Sequence, residues 1–113
     1  MKIAISSTGE NLTDNVGEVF ARCPYFIIAE IEDDKIKNFE AMKNESENQM
    51  SGAGIFAAQF LAEKGVKIVI TKNIGPRALD VLEQFNIKVY QGEGTVKEVL
   101  EKFIEGKLEK FEK

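Results

Sequence analysis

This 113-residue chain contains no histidine. That absence removes the Ser-His-Asp triad and any Cys–His nucleophile pair. Cysteine is almost absent as well: Cys23 is the only one, so no internal disulfide framework can form, which fits a reducing cytoplasm. No apolar run approaches the roughly 18 residues of a membrane span. The start Met1-Lys2-Ile3-Ala4-Ile5-Ser6 is a strand pattern without the apolar stretch and cleavage site of a signal peptide. A cytoplasmic protein with no membrane partner is therefore expected. There is no basic excess either. The 15 Lys and Arg stand against 19 Asp and Glu, a net charge of −4. Binding phosphate backbones needs a concentrated basic surface, so nucleic acid is not expected as a partner. Arginine is scarce: Arg22 and Arg77 are the only two.

What remains is an ordinary globular composition, 43% hydrophobic and 30% charged, at the length of one domain spanning residues 1–113. The stretch Val66 to Ala78 organises the rest. Val66 to Thr71 is an apolar, β-branched run, as in a strand buried on both faces. It breaks at Asn73 and Gly75 and restarts at Pro76, which suits a first helical turn because its missing N–H costs nothing there. Such a strand–turn–helix is half of a β-α-β unit. In open α/β sheets ligands sit at this edge, outside the carboxyl ends of the strands. Free N–H groups at the helix start, with Arg77 beside them, could hold an anion. The competing reading is a tight corner made by Gly75 and Pro76, with Arg77 simply solvated.

In chain order, Lys2 to Ser6 is the first strand, followed by a polar loop to Gly17 and a short helical turn around Glu18 to Ala21. Tyr25 to Glu32 is an aromatic and β-branched strand. Asp33-Asp34 turns the chain, and Lys35 to Met42 returns as an edge strand, with Ile36 on one face and Phe39 and Ala41 on the other. Lys43 to Met50 is polar and without period, which reads as a mobile loop. Ser51-Gly52-Ala53-Gly54 opens a helix whose Ile55, Phe56, Phe60 and Leu61 should face the sheet. A second helix runs from Pro76 to about Phe85, with Ala78, Leu79, Leu82 and Phe85 inward. Ile87 to Tyr90 is a fifth strand. Thr95-x-x-Glu98 is a capping box opening a third helix that Gly106 stops, and Lys107 to Lys113 should fray. Right-handed crossovers then favour a mixed five-stranded α/β sheet of order 3-2-1-4-5, strand 2 antiparallel, with helices on both faces. This is a ribonuclease-H-like topology, with a flavodoxin-like sheet as the alternative. Residues such as Ile3, Ile5, Ile27, Ile55, Ile70, Leu82 and Leu100 should share one core.

That fold hosts nucleases, which hold two metal ions between carboxylates, one of them on the first strand. Here the first strand, Ile3-Ala4-Ile5-Ser6, carries no acid. No other catalytic set emerges, so no enzymatic activity is expected.

Five segments occur in a recognisable order: Met1-Lys2-Ile3-Ala4-Ile5, Phe20-Ala21-Arg22-Cys23-Pro24-Tyr25-Phe26, Ser51-Gly52-Ala53-Gly54, Gly75-Pro76-Arg77-Ala78, and Gly94-Thr95-Val96-Lys97-Glu98 through Gly106-Lys107-Leu108. Together they resemble the dinitrogenase iron–molybdenum cofactor biosynthesis family, which includes NifX-type carriers and the C-terminal part of NifB-type proteins. The resemblance spans nearly the whole chain. It implies the ribonuclease-H-like sheet and a carrier of an iron–sulfur or iron–molybdenum cluster or its precursor. Members that handle the cofactor often carry His-Phe-Gly-Arg before Pro-Tyr-Phe, and a His-Gly pair at the first helix. This chain has Val19-Phe20-Ala21-Arg22 and Ser51-Gly52 there. One cysteine cannot supply the four thiolates of an ordinary cluster.

Cys23 reads either as a lone metal ligand, its thiolate favoured by neighbouring Arg22, or as a small apolar residue packed at a strand start. Three functions follow: a metal-cluster carrier, a small-anion or nucleotide module, or a protein-interaction module whose loop Lys43 to Met50 orders on a partner protein. For the first two, the expected binding residues are Ser51, Gly52, Gly54, Asn73, Gly75 and Arg77, with Cys23 as the metal ligand. They belong to a rim where the loops Ser7 to Gly17, Met50 to Gly54 and Lys72 to Arg77 should meet.

Overall fold

The computed structural model describes residues 1–111. Its centre is β1 (Lys2–Ser7), flanked by antiparallel β2 (Tyr25–Glu32) and parallel β4 (Ile68–Thr71). β3 (Lys35–Lys43) and β5 (Lys88–Gln91) extend the sheet on either side. The order β3-β2-β1-β4-β5 is the one expected, with β2 antiparallel to its neighbours. The sheet, however, has six strands. Glu109–Lys110 forms β6, antiparallel to β5, and the N–H of Phe111 donates to the Val89 carbonyl at 2.9 Å. The segment expected to fray is therefore paired through Phe111; Glu112 and Lys113 lie outside the described residues.

Alternation along the strands divides the interior in two. Ile3, Ile5, Ile27, Ala29, Ile68 and Ile70 face α3 (Val96–Ile104), meeting its Val96, Val99 and Leu100. Ala4, Phe26, Ile28, Val69 and Val89 face α1 (Ala53–Glu63) and α2 (Pro76–Gln84). The single shared core is thus corrected to two, one per face, because the sheet backbone separates them. A second correction concerns α1. Its buried face is Ala53, Ala57, Ala58 and Leu61, while Ile55 and Phe56 are 37% and 43% exposed. The cause is proximity: a Cβ on Gly54 would lie 2.8 Å from the Cβ of Ala78, so the α1–α2 seam admits only small side chains. At the far end of α2, Phe85 is likewise 44% exposed rather than inward.

The β2–β3 hairpin turns through Asp33 and Asp34 at φ 51° and 60°, the left-handed pair that a two-residue turn of matching twist requires. The register shifts between Glu30 and Ile31, so the Lys37 backbone is skipped in the ladder, although its Nζ pairs with Glu32 of β2 at 3.0 Å. That bulge brings Ile36 to the same side as Ala41, against the α3 core, instead of the opposite one.

Candidate functional site

The carboxyl ends of β1 and β4 are joined by hydroxyls: Ser6 Oγ and Thr71 Oγ1 lie 2.8 Å apart, both residues buried. Beyond them the chain leaves β4 through Lys72 and Asn73 into α2. A 3-10 turn, Phe20–Arg22, packs across from it. Main-chain and side-chain bonds stitch the two segments together. The Phe20 N–H donates to the Asn73 carbonyl at 2.9 Å, and Asn73 Nδ2 donates to the Glu18 carbonyl at 3.2 Å. Lys72 Nζ pairs with Glu18 Oε1 at 3.0 Å and lies 3.8 Å from Glu93 Oε1. The hydrogen bond Lys72 donates to Glu18, then the charges of Glu18 and Glu93, raise the Lys72 pKa. Phe20 is buried against Phe26, ring centres 5.4 Å apart, which fixes the turn to the sheet.

Between this turn and the starts of α1 and α2 lies a cleft of about 360 Å³, lined by Val19 to Arg22, Ala53, Gly54 and Gly75 to Ala78. Its walls are mostly apolar, and both arginines of the chain stand on them. The two helix starts are unusually bare. Neither has a side-chain cap or an acidic residue in its first turn. Among the described residues, no acceptor meets the N–H groups of Ala53, Gly54 and Ile55, or of Arg77 and Ala78; the first α-helical bonds are Phe56 to Gly52 and Leu79 to Gly75. Helix starts carry positive partial charge. The cleft therefore has open helix starts and two arginines on its walls against an apolar floor, which is chemistry for an anion with an apolar or polarizable body.

Of the residues expected at a site, Gly54, Gly75 and Arg77 line this cleft. Ser51 and Gly52 stand just outside it, with Gly52 as the α1 N-cap at φ 73°. Asn73 is spent on holding Glu18. The three glycines among the expected binding residues differ. Gly52 is needed for its left-handed backbone and Gly54 for the α1–α2 seam. Gly75 has φ −74° and a Cβ there would touch nothing, so neither strain nor packing requires glycine; a side chain would only fill the cleft.

One expectation about the rim is corrected. The loop after β1 does not line the cleft; it folds over the start of α3, where the carbonyls of Leu12 and Asp14 accept from Lys97 and Val96. It borders a separate groove of about 260 Å³ with Glu18, Lys72 and Glu93. Its place in the cleft wall is taken by Val19 to Arg22. The only signal for this in the sequence was the position of Arg22 beside Cys23.

Cys23 is 3% exposed, behind the 3-10 turn, with Sγ donating to the Phe20 carbonyl at 3.3 Å. Burial pushes its pKa up to about 11. The lowering expected from Arg22 is absent because the guanidinium turns away: its Nη1 donates to the carbonyls of Glu47 and Gln49, at 3.1 and 2.5 Å. The loop Lys43 to Met50, expected to be mobile, is pinned at those points and through buried Asn44 and Ser46. No group of three or more His, Cys, Asp or Glu side chains converges among the described residues. The donor set therefore does not fit a cluster that needs protein ligands on its metals. It fits a group that arrives with its own ligands and a negative charge. No helix among the described residues is long and apolar enough to cross a membrane.

The chain matches the dinitrogenase iron-molybdenum cofactor family over residues 1–106. It is 42% identical over 113 residues to the uncharacterized protein MJ0580 of Methanocaldococcus jannaschii, covering 99% of this chain and 92% of that one. Its fold is similar to the apo form of the orange protein from Desulfovibrio gigas, with a TM-score of 0.88 at 32% identity over 97% of this chain and 92% of that one. It is also similar to TM1290 from Thermotoga, with a TM-score of 0.83 at 36% identity over 99% and 97%. The chain belongs to the dinitrogenase iron-molybdenum cofactor family.

Proposed function

We propose that this member of the dinitrogenase iron-molybdenum cofactor family is a non-enzymatic carrier that holds a preassembled, anionic metal–sulfur cofactor or precursor in the cleft between the 3-10 turn and the starts of α1 and α2. The observation that carries the reading is convergence. The chain has two arginines, 55 positions apart in sequence, and both line the one cleft that also receives two uncapped helix starts. Guanidinium forks and free backbone N–H groups favour anions. The apolar walls suit a large, weakly hydrated one. Family membership supports a cofactor as cargo, and so does a relative named for a colour and solved as an apo form. Gly54, Gly75, Arg22 and Arg77 would border the cargo, with Ser51, Gly52 and Asn73 shaping the rim. Metal–protein bonds have no part in this reading.

The alternative is a small-anion module that never carries metal, favoured by the same donors. Anaerobic reconstitution with iron, sulfide and molybdate separates the two. The carrier reading predicts a visible chromophore that co-elutes with the protein, survives in Cys23→Ser and is lost in Arg22→Ala/Arg77→Ala. A chromophore that disappears in Cys23→Ser would return Cys23 to the role of ligand. Phosphate binding without any chromophore would favour the small-anion module.

A further inference from the structure

Arg22 is held from a distance by a buried polar knot. Asn44 is 4% exposed and Ser46 0%, both in a loop whose other residues are exposed or half-buried. Asn44 Nδ2 donates to the carbonyl of Ala21 at 3.0 Å and to that of Cys23 at 2.7 Å, the two residues on either side of Arg22. Ser46 Oγ lies 2.6 Å from Asn44 Oδ1 and 3.3 Å from the Ala21 carbonyl, and the Ser46 N–H donates to Asn44 Oδ1 at 3.0 Å. The same loop then runs on so that the carbonyls of Glu47 and Gln49 accept from Arg22 Nη1. The backbone around the arginine and the head of its side chain are thus both fixed by one short segment.

An exposed arginine ordinarily loses much rotamer freedom when it closes on an anion, and that entropy opposes binding. Here the freedom is already removed by a segment that lies outside the cleft. A guanidinium has five N–H donors, so tethering Nη1 leaves others for a ligand.

We infer that Asn44, with Ser46, is a positioning residue for the anion cleft: it pre-orders Arg22 through the loop Asn44 to Gln49, and cargo affinity depends on it although it touches no cargo. This rests on reading the cleft as an anion site. Nothing about residue 44 on its own strand or loop would otherwise connect it to the cleft wall formed by α1 and α2.

Two measurements test the inference. In the ligand-free protein, NMR relaxation and exchange of the arginine side chains should show the Arg22 guanidinium more ordered than that of Arg77. Asn44→Ala should release Arg22 and leave Arg77 as it was. Molybdate affinity should then fall about tenfold in Asn44→Ala, the scale of one charge-assisted hydrogen bond. The fall should vanish when the change is made in Arg22→Ala and persist in full in Arg77→Ala. Ser46→Ala, which removes one side of the knot, should show the same pattern at smaller size and serves if Asn44→Ala does not fold. An Arg22 guanidinium that stays ordered without Asn44 would overturn the inference. So would an affinity loss of equal size with and without Arg22, since that would mark a general structural defect. Absence of molybdate binding to the wild type would instead count against the cleft as an anion site, and the ligand-free measurement would still decide the tether.

Discussion

At the start of α3 each early backbone N–H has a partner from the chain itself; among the described residues, those of Ala53 to Ile55 in α1 and of Arg77 and Ala78 in α2 have none. Val96 and Lys97 donate to the carbonyls of Asp14 and Leu12, Glu98 to Thr95 Oγ1, and the Glu98 carboxylate closes the box on the Thr95 N–H. The α3 start is finished as structure. The other two starts, on the opposite face of the sheet, carry glycine N-caps, no acid and no side-chain acceptor. The same chain, then, builds a complete cap at α3 and leaves two starts open where a cleft lies. α1 and α2 can stay open because other features hold them: α2 by Ala78, Leu79 and Leu82, α1 by its alanine seam and Leu61.

The largest effect is expected at that anchor. Leu82 is fully buried, and Leu82→Ala should cost about 2–5 kcal/mol in chemical denaturation. A loss below 1 kcal/mol would mean that α2 depends on its start after all. Next in size is the cap itself. Thr95→Ala should cost about 1 kcal/mol, measured the same way. The equivalent removal at α2 has no counterpart, since there is no cap to remove.

The α3 box also carries a pH signature. The hydrogen bond from the Thr95 N–H, first of all, lowers the pKa of Glu98. A carboxylate with a depressed folded pKa stabilises the protein above its unfolded pKa, and that contribution fades as pH falls through the folded value. Between about pH 6 and pH 3, wild type should therefore lose more stability than Glu98→Gln. Parallel curves would contradict the box. The smallest effect is expected at the sheet edge, where Lys110→Ala should stay within about 0.5 kcal/mol. The side chain is exposed, and β6 pairs through its backbone.

How far the sequence revealed this arrangement depended on what each residue's character reports. Tyr25 to Glu32 was legible to the residue because a strand buried between neighbours needs apolar side chains on both faces. The Thr95–Glu98 box was legible because its chemistry is local. Ile55 and Phe56 misled, since hydrophobicity ranks side chains by size while the Gly54–Ala78 contact selects for smallness. β6 left no trace: two charged residues joined to β5 by main-chain bonds have no apolar alternation to read. At the cleft, Gly75 and Arg77 follow from a local strand–turn–helix pattern and Gly54 from the glycine-bearing helix start at Ser51 to Gly54. The opposite wall does not, because Val19 to Arg22 arrive there through the bond from Phe20 to the Asn73 carbonyl, a pairing between segments more than fifty positions apart.

The account turns on whether the open starts of α1 and α2 are open for an anion. Gly75→Asp tests this most directly, since a side chain at position 75 meets no clash and can both cap α2 and place a negative charge at the cleft. The titration to make is of molybdate into wild type and Gly75→Asp, followed by backbone chemical shifts, beside a denaturation curve for each. The account predicts that the variant gains a few tenths of a kcal/mol in stability and loses the shifts at Ala53 to Ile55 and at Arg77 and Ala78. Undiminished molybdate shifts at those positions in Gly75→Asp would contradict it.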